Sequence, residues 1–332
     1  MKKTVILVCT ALLTAAFADG ETFSGIVFYD YTYDLAGEGA NEFAINRIYF
    51  TYGRELSAGI KYKFQTDVGR IAVPTAIDTT TGKLTASSET QLLAYMKNAK
   101  VDWNTDLGLL TIGIQGMNVF NVQEKTWGFR FLDKTPMDRY KFASSADMGI
   151  GYSNTLIDNL HISVLLTNGT SYKEAEDDTH KKFSAQVVYG EKDLLSKNGF
   201  NAGGTFTREP YDVNSGTEDR ILYGVFGGFA GDKLRIGGEF DQLIDAGSDR
   251  TKQIIATYAS FKISDKFEAH GYFDMYDANT KTTGDEDNQS YIIAGVNYYP
   301  GKGLIIAPNI RYTKPEAGAA ETLFKVNFQF KY

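Results

Sequence analysis

Along most of the chain apolar and polar side chains alternate with a period of two, the pattern of a β-strand with one oily and one polar face. The last segment is the clearest: Phe324, Val326, Phe328, Phe330 and Tyr332 fall on one side, and Lys325, Asn327, Gln329 and Lys331 on the other. Ala58, Ile60, Tyr62 and Phe64 oppose Lys61, Lys63 and Gln65 in the same way, and Leu234, Ile236 and Phe240 oppose Arg235, Glu239 and Asp241. The alternation predicts strands near residues 22–32, 43–54, 57–68, 92–103, 106–115, 145–154, 157–168 and 180–190. It continues through 199–208, 219–229, 232–243, 251–262, 265–275, 290–299, 302–313 and 321–332.

The links between these segments sort by length. Those near residues 54–58, 104–105, 155–156, 191–198, 231, 264 and 300–301 read as short, and those at 34–41, 69–91, 116–144, 169–178, 209–218, 244–250, 276–289 and 315–320 as long. Such alternation is what about 16 antiparallel strands give when both chain ends lie on one side of a membrane. In lipid only a closed barrel satisfies every backbone group of strands this short, and closure removes the unpaired edges. The expected fold is therefore all-β: a transmembrane antiparallel up-and-down β-barrel with short periplasmic turns and long extracellular loops. A soluble all-β protein needs one buried face per strand, and no interior core is left over for it here. No linker or shift in composition divides residues 19–332, so one barrel takes them all.

The N-terminus changes the compartment. Lys2 and Lys3 precede an apolar stretch from Val5 to Leu13, too short to span a bilayer, and Ala16-Phe17-Ala18 supplies a small-x-small cleavage site. Residues 1–18 read as a signal peptide, and the one cysteine, Cys9, leaves with it. Tyr (21) and Phe (22) are abundant, Gly (33) is frequent and Pro (6) is scarce, as strands bordered by aromatic girdles require. Loss of Lys2 and Lys3 from 34 basic residues leaves 32 against 41 acidic, a net charge of −9 that disfavours nucleic acid as a partner.

A 16-strand barrel is wide enough to enclose an aqueous channel, so its function depends on what narrows it. The longest link, 116–144, carries Trp127, Phe129 and Phe131 together with Arg130, Asp133, Lys134, Asp138, Arg139 and Lys141. On the walls, alternation places Arg47, Lys61, Lys63, Lys182, Arg235, Arg311 and Lys325 inside with Asp67, Glu239, Asp241, Glu268 and Asp274, so that neither sign dominates.

The mature chain as a whole resembles the Gram-negative outer-membrane porin superfamily, in particular porins of the phosphate-selective type and the porin-like proteins related to them. The resemblance rests on the signal peptide, on Asn46-Arg47-Ile48-Tyr49-Phe50 followed by a tight turn and Gly59-Ile60-Lys61-Tyr62-Lys63-Phe64, on the long third loop, and on the terminal Phe330-Lys331-Tyr332. It implies that the 116–144 loop folds into the lumen as the constriction, with Arg130 and Arg139 facing Asp133 and Asp138 across a transverse field. It also implies that Phe330 and Tyr332 are read by the barrel-assembly machinery, that the chain sits in the outer membrane among lipopolysaccharide, and that it forms homotrimers. Phosphate-selective porins carry an arginine or lysine ladder free of nearby acids, and the mixed interior departs from that pattern.

Chemistry beyond diffusion finds little support. His161, His180 and His270 lie in no short motif with a nucleophile, and there is no Gly-x-Ser-x-Gly elbow, Cys pair or glycine-rich nucleotide loop. Asp277, Asn279, Asp285, Glu286 and Asp287 supply hard oxygens for calcium but lack the spacing of a 12-residue loop ending in Glu. The expectation is a non-enzymatic channel for small hydrophilic solutes or ions, without cofactor or structural metal. The alternative is a non-conducting structural, adhesive or receptor barrel.

Overall fold

The computed structural model describes residues 20–37, 39–77, 84–176, 178–213, 216–282, 284 and 287–332, with the backbone alone over 72–77 and 84–89. The signal peptide read over residues 1–18, with its cleavage site, lies outside the described residues, as do Asp285 and Glu286 of the acidic loop.

Sixteen strands follow one another: β1 (Glu21–Asp34), β2 (Asn41–Ser57), β3 (Ile60–Ile77), β4 (Leu84–Thr105), β5 (Gly108–Gly116), β6 (Ala146–Ile157), β7 (Leu160–Thr167) and β8 (Lys182–Gly190). They continue as β9 (Gly199–Val213), β10 (Gly216–Ala230), β11 (Leu234–Asp245), β12 (Arg250–Lys262), β13 (Phe267–Asp277), β14 (Gln289–Gly301), β15 (Leu304–Pro315) and β16 (Glu321–Lys331). Each pairs antiparallel with its sequence neighbours, and β1 closes on β16 from Ile26↔Lys331 to Asp34↔Leu323. The protein is a closed 16-strand antiparallel barrel.

The seam is finished by the last residue. Gly25 N–H donates to the Tyr332 carbonyl at 3.1 Å, and Tyr332 N–H returns the bond to Gly25 at 3.1 Å. A side chain at Gly25 would collide with the Tyr332 ring, so the closing contact needs glycine there.

All sixteen predicted segments correspond to strands, but the sorting of links by residue count does not hold throughout. The 69–91 and 209–218 links are largely strand: β3 runs on to Ile77, β4 starts at Leu84, and only residues 214–215 separate β9 from β10. Pro74 reads in sequence as a breaker. In the barrel the register shifts on both sides of it, which is how a sheet accommodates a residue that cannot donate to the ladder. The two ends therefore differ in strand overhang as much as in loop length.

Outward positions carry large apolar side chains open to the surroundings, among them Phe43, Ile112, Ile150, Val225 and Phe261. A contiguous apolar belt of this kind is a liability in water and fits hydrocarbon. The buried core lies inside the barrel instead, where the 117–145 segment packs against inward-facing residues of the wall.

Candidate functional site

The segment after β5 turns into the lumen. It begins with a short helix, α1 (Asn121–Trp127), that ends where Gly128 takes the left-handed conformation (φ 76°) and returns its N–H to Glu124 O at 2.8 Å. A side chain on Gly128 would press on Arg235 and Leu195, so glycine satisfies the turn and the close approach together. Pro136 opens a single turn, α2 (Pro136–Arg139), in the first helical position, where its missing N–H costs nothing.

Between these helices the loop is hooked to the far strands. Asp133 Oδ2 accepts from Arg139 at 2.6 Å, from Arg311 at 3.1 Å and from the Tyr291 hydroxyl at 2.7 Å. Arg311 also donates to the Leu132 carbonyl (2.6 Å), Asn327 to the Phe131 carbonyl (3.2 Å) and Arg235 to the Trp127 carbonyl (3.3 Å). Burial opposes ionisation of Asp133, but Arg311 and Arg139 outweigh it and hold the carboxyl below the ordinary aspartate range. Arg139 stacks on the Tyr291 ring at 3.3 Å, and Tyr140 lies flat on Tyr276 while its hydroxyl donates to Asp274 (2.6 Å). At the start of the loop Asn118 bonds Ser163 and Ser184, and Thr205 donates to the Val119 carbonyl at 2.9 Å. Apolar packing completes the grip: Trp127, Phe129, Phe131 and Leu132 bury against Tyr258, Tyr272 and Ile293, and Met137 and Phe142 against Leu222 and Ile254.

Two cavities border the loop, of about 860 Å³ on the short-turn side and about 530 Å³ on the long-loop side; strands from most of the circumference line the first, and the second is lined by Arg47 of β2 and by residues of β8–β12. The cavities share Arg130 and Ser145, with Lys97 lining the inner cavity and Arg47 the outer one. There the Lys97 ammonium donates to the Ser145 hydroxyl, and Arg47 donates to Asp67 (2.7 Å) and to Tyr95 (2.6 Å). Arg130 bonds Asp138 at 3.2 Å with Lys134 on the other carboxylate oxygen (3.1 Å), and Glu124 lies 3.5 Å from Arg130.

The charges read from the sequence thus divide into two sets. Arg130, Lys134, Asp138 and Lys141 line the outer cavity, whereas Asp133 and Arg139 are tied to Arg311 against the wall. This corrects the expectation that Arg130 and Arg139 face Asp133 and Asp138 across the passage, because Asp133 and Arg139 are paired with each other and Asp133 with Arg311 in anchoring the loop. Lys63 and Arg47 line cavities, Lys61 is exposed, and Lys325 is held by Asp30 at 2.8 Å. Arg235 and Glu268 sit 3.9 Å apart in the inner cavity. Glu239 and Asp241 point inward but are buried, and the absence of a side chain at Gly224 leaves room beside Asp241 for the Met137 methyl. Phe330 and Tyr332 face outward, their rings 6.0 Å apart.

The balance of lumen charge is also corrected. Eight residues lining the outer cavity are Lys or Arg and three are Asp or Glu; for the inner cavity the numbers are nine and three. The acids that made the interior look mixed include Glu239, Asp241 and Asp274, which are buried. Sequence reasoning also missed Tyr49, Lys97, Tyr172 and Lys173. It passed over a visible signal for the gripping wall as well: doublets that interrupt the alternation. Leu166, Ile255 and Ile292 are exposed outward, whereas Leu165, Ile254 and Ile293 are buried inward.

No protein-family model matches the chain, and no curated protein matches it. Solved structures do. An anion-selective porin from Comamonas acidovorans superposes with a TM-score of 0.67 at 14% identity, covering 94% of this chain and 99% of that one. The barrel shares its 16-strand fold with that porin. OprB of Pseudomonas putida matches the barrel with a TM-score of 0.66 at 10% identity, over 97% of this chain and 96% of its own. The trimer form of OmpT of Vibrio cholerae matches it with a TM-score of 0.60 at 12% identity, over 95% and 100%. Nothing in these likenesses distinguishes a phosphate-selective subgroup.

Proposed function

We propose that the protein is a porin of the Gram-negative outer membrane, a channel through which small hydrophilic solutes or ions diffuse passively and which acts without catalysis, cofactor or resident metal. The observation that carries this reading is the pair of cavities, one on each side of the 117–145 loop, that share Arg130 and Ser145 and are each lined by an excess of basic side chains. The loop is gripped from β7 round to β16, and from the β2–β5 side it is touched by Lys97 on Ser145 and by Tyr49 against its aromatic cluster, an uneven hold that suits a constriction better than a full plug. The outward apolar belt supports a lipid environment, with lipopolysaccharide around the long loops. The outward aromatic pair Phe330 and Tyr332 supports a role as the signal for the assembly machinery, and the resemblance to the OmpT trimer supports assembly in threes.

Purified protein in planar bilayers should give discrete conductance steps; a preparation that never does so sinks the channel reading. The contact between Lys97 and Ser145 favours one competitor, a barrel sealed by its loop. Excising Met117–Ser144 behind a short Gly-Ser bridge separates the two. Conductance that starts from a measurable value and rises several-fold marks a constriction, whereas conductance that appears only on excision marks a seal.

A further inference from the structure

We infer that the passage is a filter for small anions, set by cations that the fold deliberately leaves without carboxylate partners. The inference rests on the channel reading above and deepens it. The whole chain is acidic, with 41 Asp and Glu against 34 Lys and Arg, yet both cavities are lined by an excess of bases. Placement and pairing together produce the inversion.

Five of the six acidic residues that line the cavities lie within 4.0 Å of a Lys or Arg: Asp138, Glu124, Glu209, Asp245 and Glu268. The sixth, Asp232, accepts from Asn198 at 2.7 Å. The bases are not matched in return. Among the described residues Lys63, Lys97, Lys141, Lys173 and Lys252 line the passage with no carboxylate within 4.0 Å.

Two of these lysines are held by aromatic faces instead. The Lys97 ammonium lies 4.4 Å from the centroid of Tyr172, and that of Lys173 lies 4.7 Å from the centroid of Tyr95. A ring face orients a cation without cancelling its charge, so the full positive potential remains for a passing ion. With Arg47 and Arg130 these groups form a cluster where the two cavities meet. Low-dielectric walls on both sides concentrate its field. A small anion entering from either end meets net positive charge along its path, while a cation of the same size meets it as a barrier.

A tenfold KCl gradient across a bilayer holding the full-length mature protein tests the idea. At low salt, where screening is weak, the reversal potential should report chloride over potassium by about threefold or more, and the preference should shrink as salt is raised. Lys97→Gln with Lys173→Gln should cut the ratio by about half or more, and Lys97→Glu should carry it toward cation preference. Discrete channels with a reversal potential at zero, or of the sign for potassium, overturn the filter and leave the channel reading standing. Absence of channels overturns both. The wild-type measurement alone decides the sign, so the result stands even where a variant fails to fold.

Discussion

The two halves of the lumen wall treat charge in opposite ways. From β13 to β16 the wall binds the loop through Asp274, Tyr291, Arg311 and Asn327, whose polar groups are taken up by hydrogen bonds to the loop. On the β2–β5 side Lys63 and Lys97 line the inner cavity and, among the described residues, have no carboxylate within 4.0 Å. Both halves are built from strands with the same alternation. The difference shows that an inward polar residue is structural where the loop covers it and functional where it does not. Position on the circumference decides which, and face alone does not.

The largest break in this contrast should come from Arg311→Leu. It removes one of the two cations that offset buried Asp133 and takes a donor from five acceptors on Asp133, Tyr291, Leu132, Asn309 and Asn327, so a loss of about 3–5 kcal/mol is expected. Thermal unfolding in detergent would read it as a lower midpoint, with noisier conductance from the loosened loop; an unchanged midpoint would show that the Asp133 hub is ornamental. Ile254→Ala empties fully buried volume beneath α2 and should cost about 2–4 kcal/mol, whereas Lys63→Gln on the open side should stay within about 0.5 kcal/mol. Equal losses from the two would erase the distinction between the walls.

The smallest effect is that of acid. Asp133 has a lowered pKa in the folded protein, so its contribution to stability is complete above the unfolded value of about 3.9 and is lost as pH falls through the lowered one. Loop anchoring through this hub should hold from neutral pH down to about 4 and weaken only below it. Loop-dependent conductance that changed between pH 5 and 6 would assign the control to another group.

The barrel was legible because period-two alternation runs through most of the chain, and because Phe324 to Tyr332 displays it without interruption. Strand ends were less legible. Residues 70–77 and 209–213 continue β3 and β9 without the alternation that marks the rest of the chain. The site was half legible: the loop and its charges could be named, but alternation cannot tell which inward residue the loop will cover. Asp133, Arg139, Glu239 and Asp241 look in sequence like Arg130 and Asp138, and only the path of the loop separates them. The doublets at 165–166, 254–255 and 292–293 were the missed clue, since an inward isoleucine makes sense only against something dry.

The hooks that hold Phe131, Leu132 and Asp133 come from Tyr291, Arg311 and Asn327, between 158 and 196 residues further along the chain. The seat of the loop does not exist until the last three strands have arrived. A barrel still open at the β1–β16 seam can carry the loop but cannot fasten it, so the interior is narrowed only in a molecule whose wall is complete.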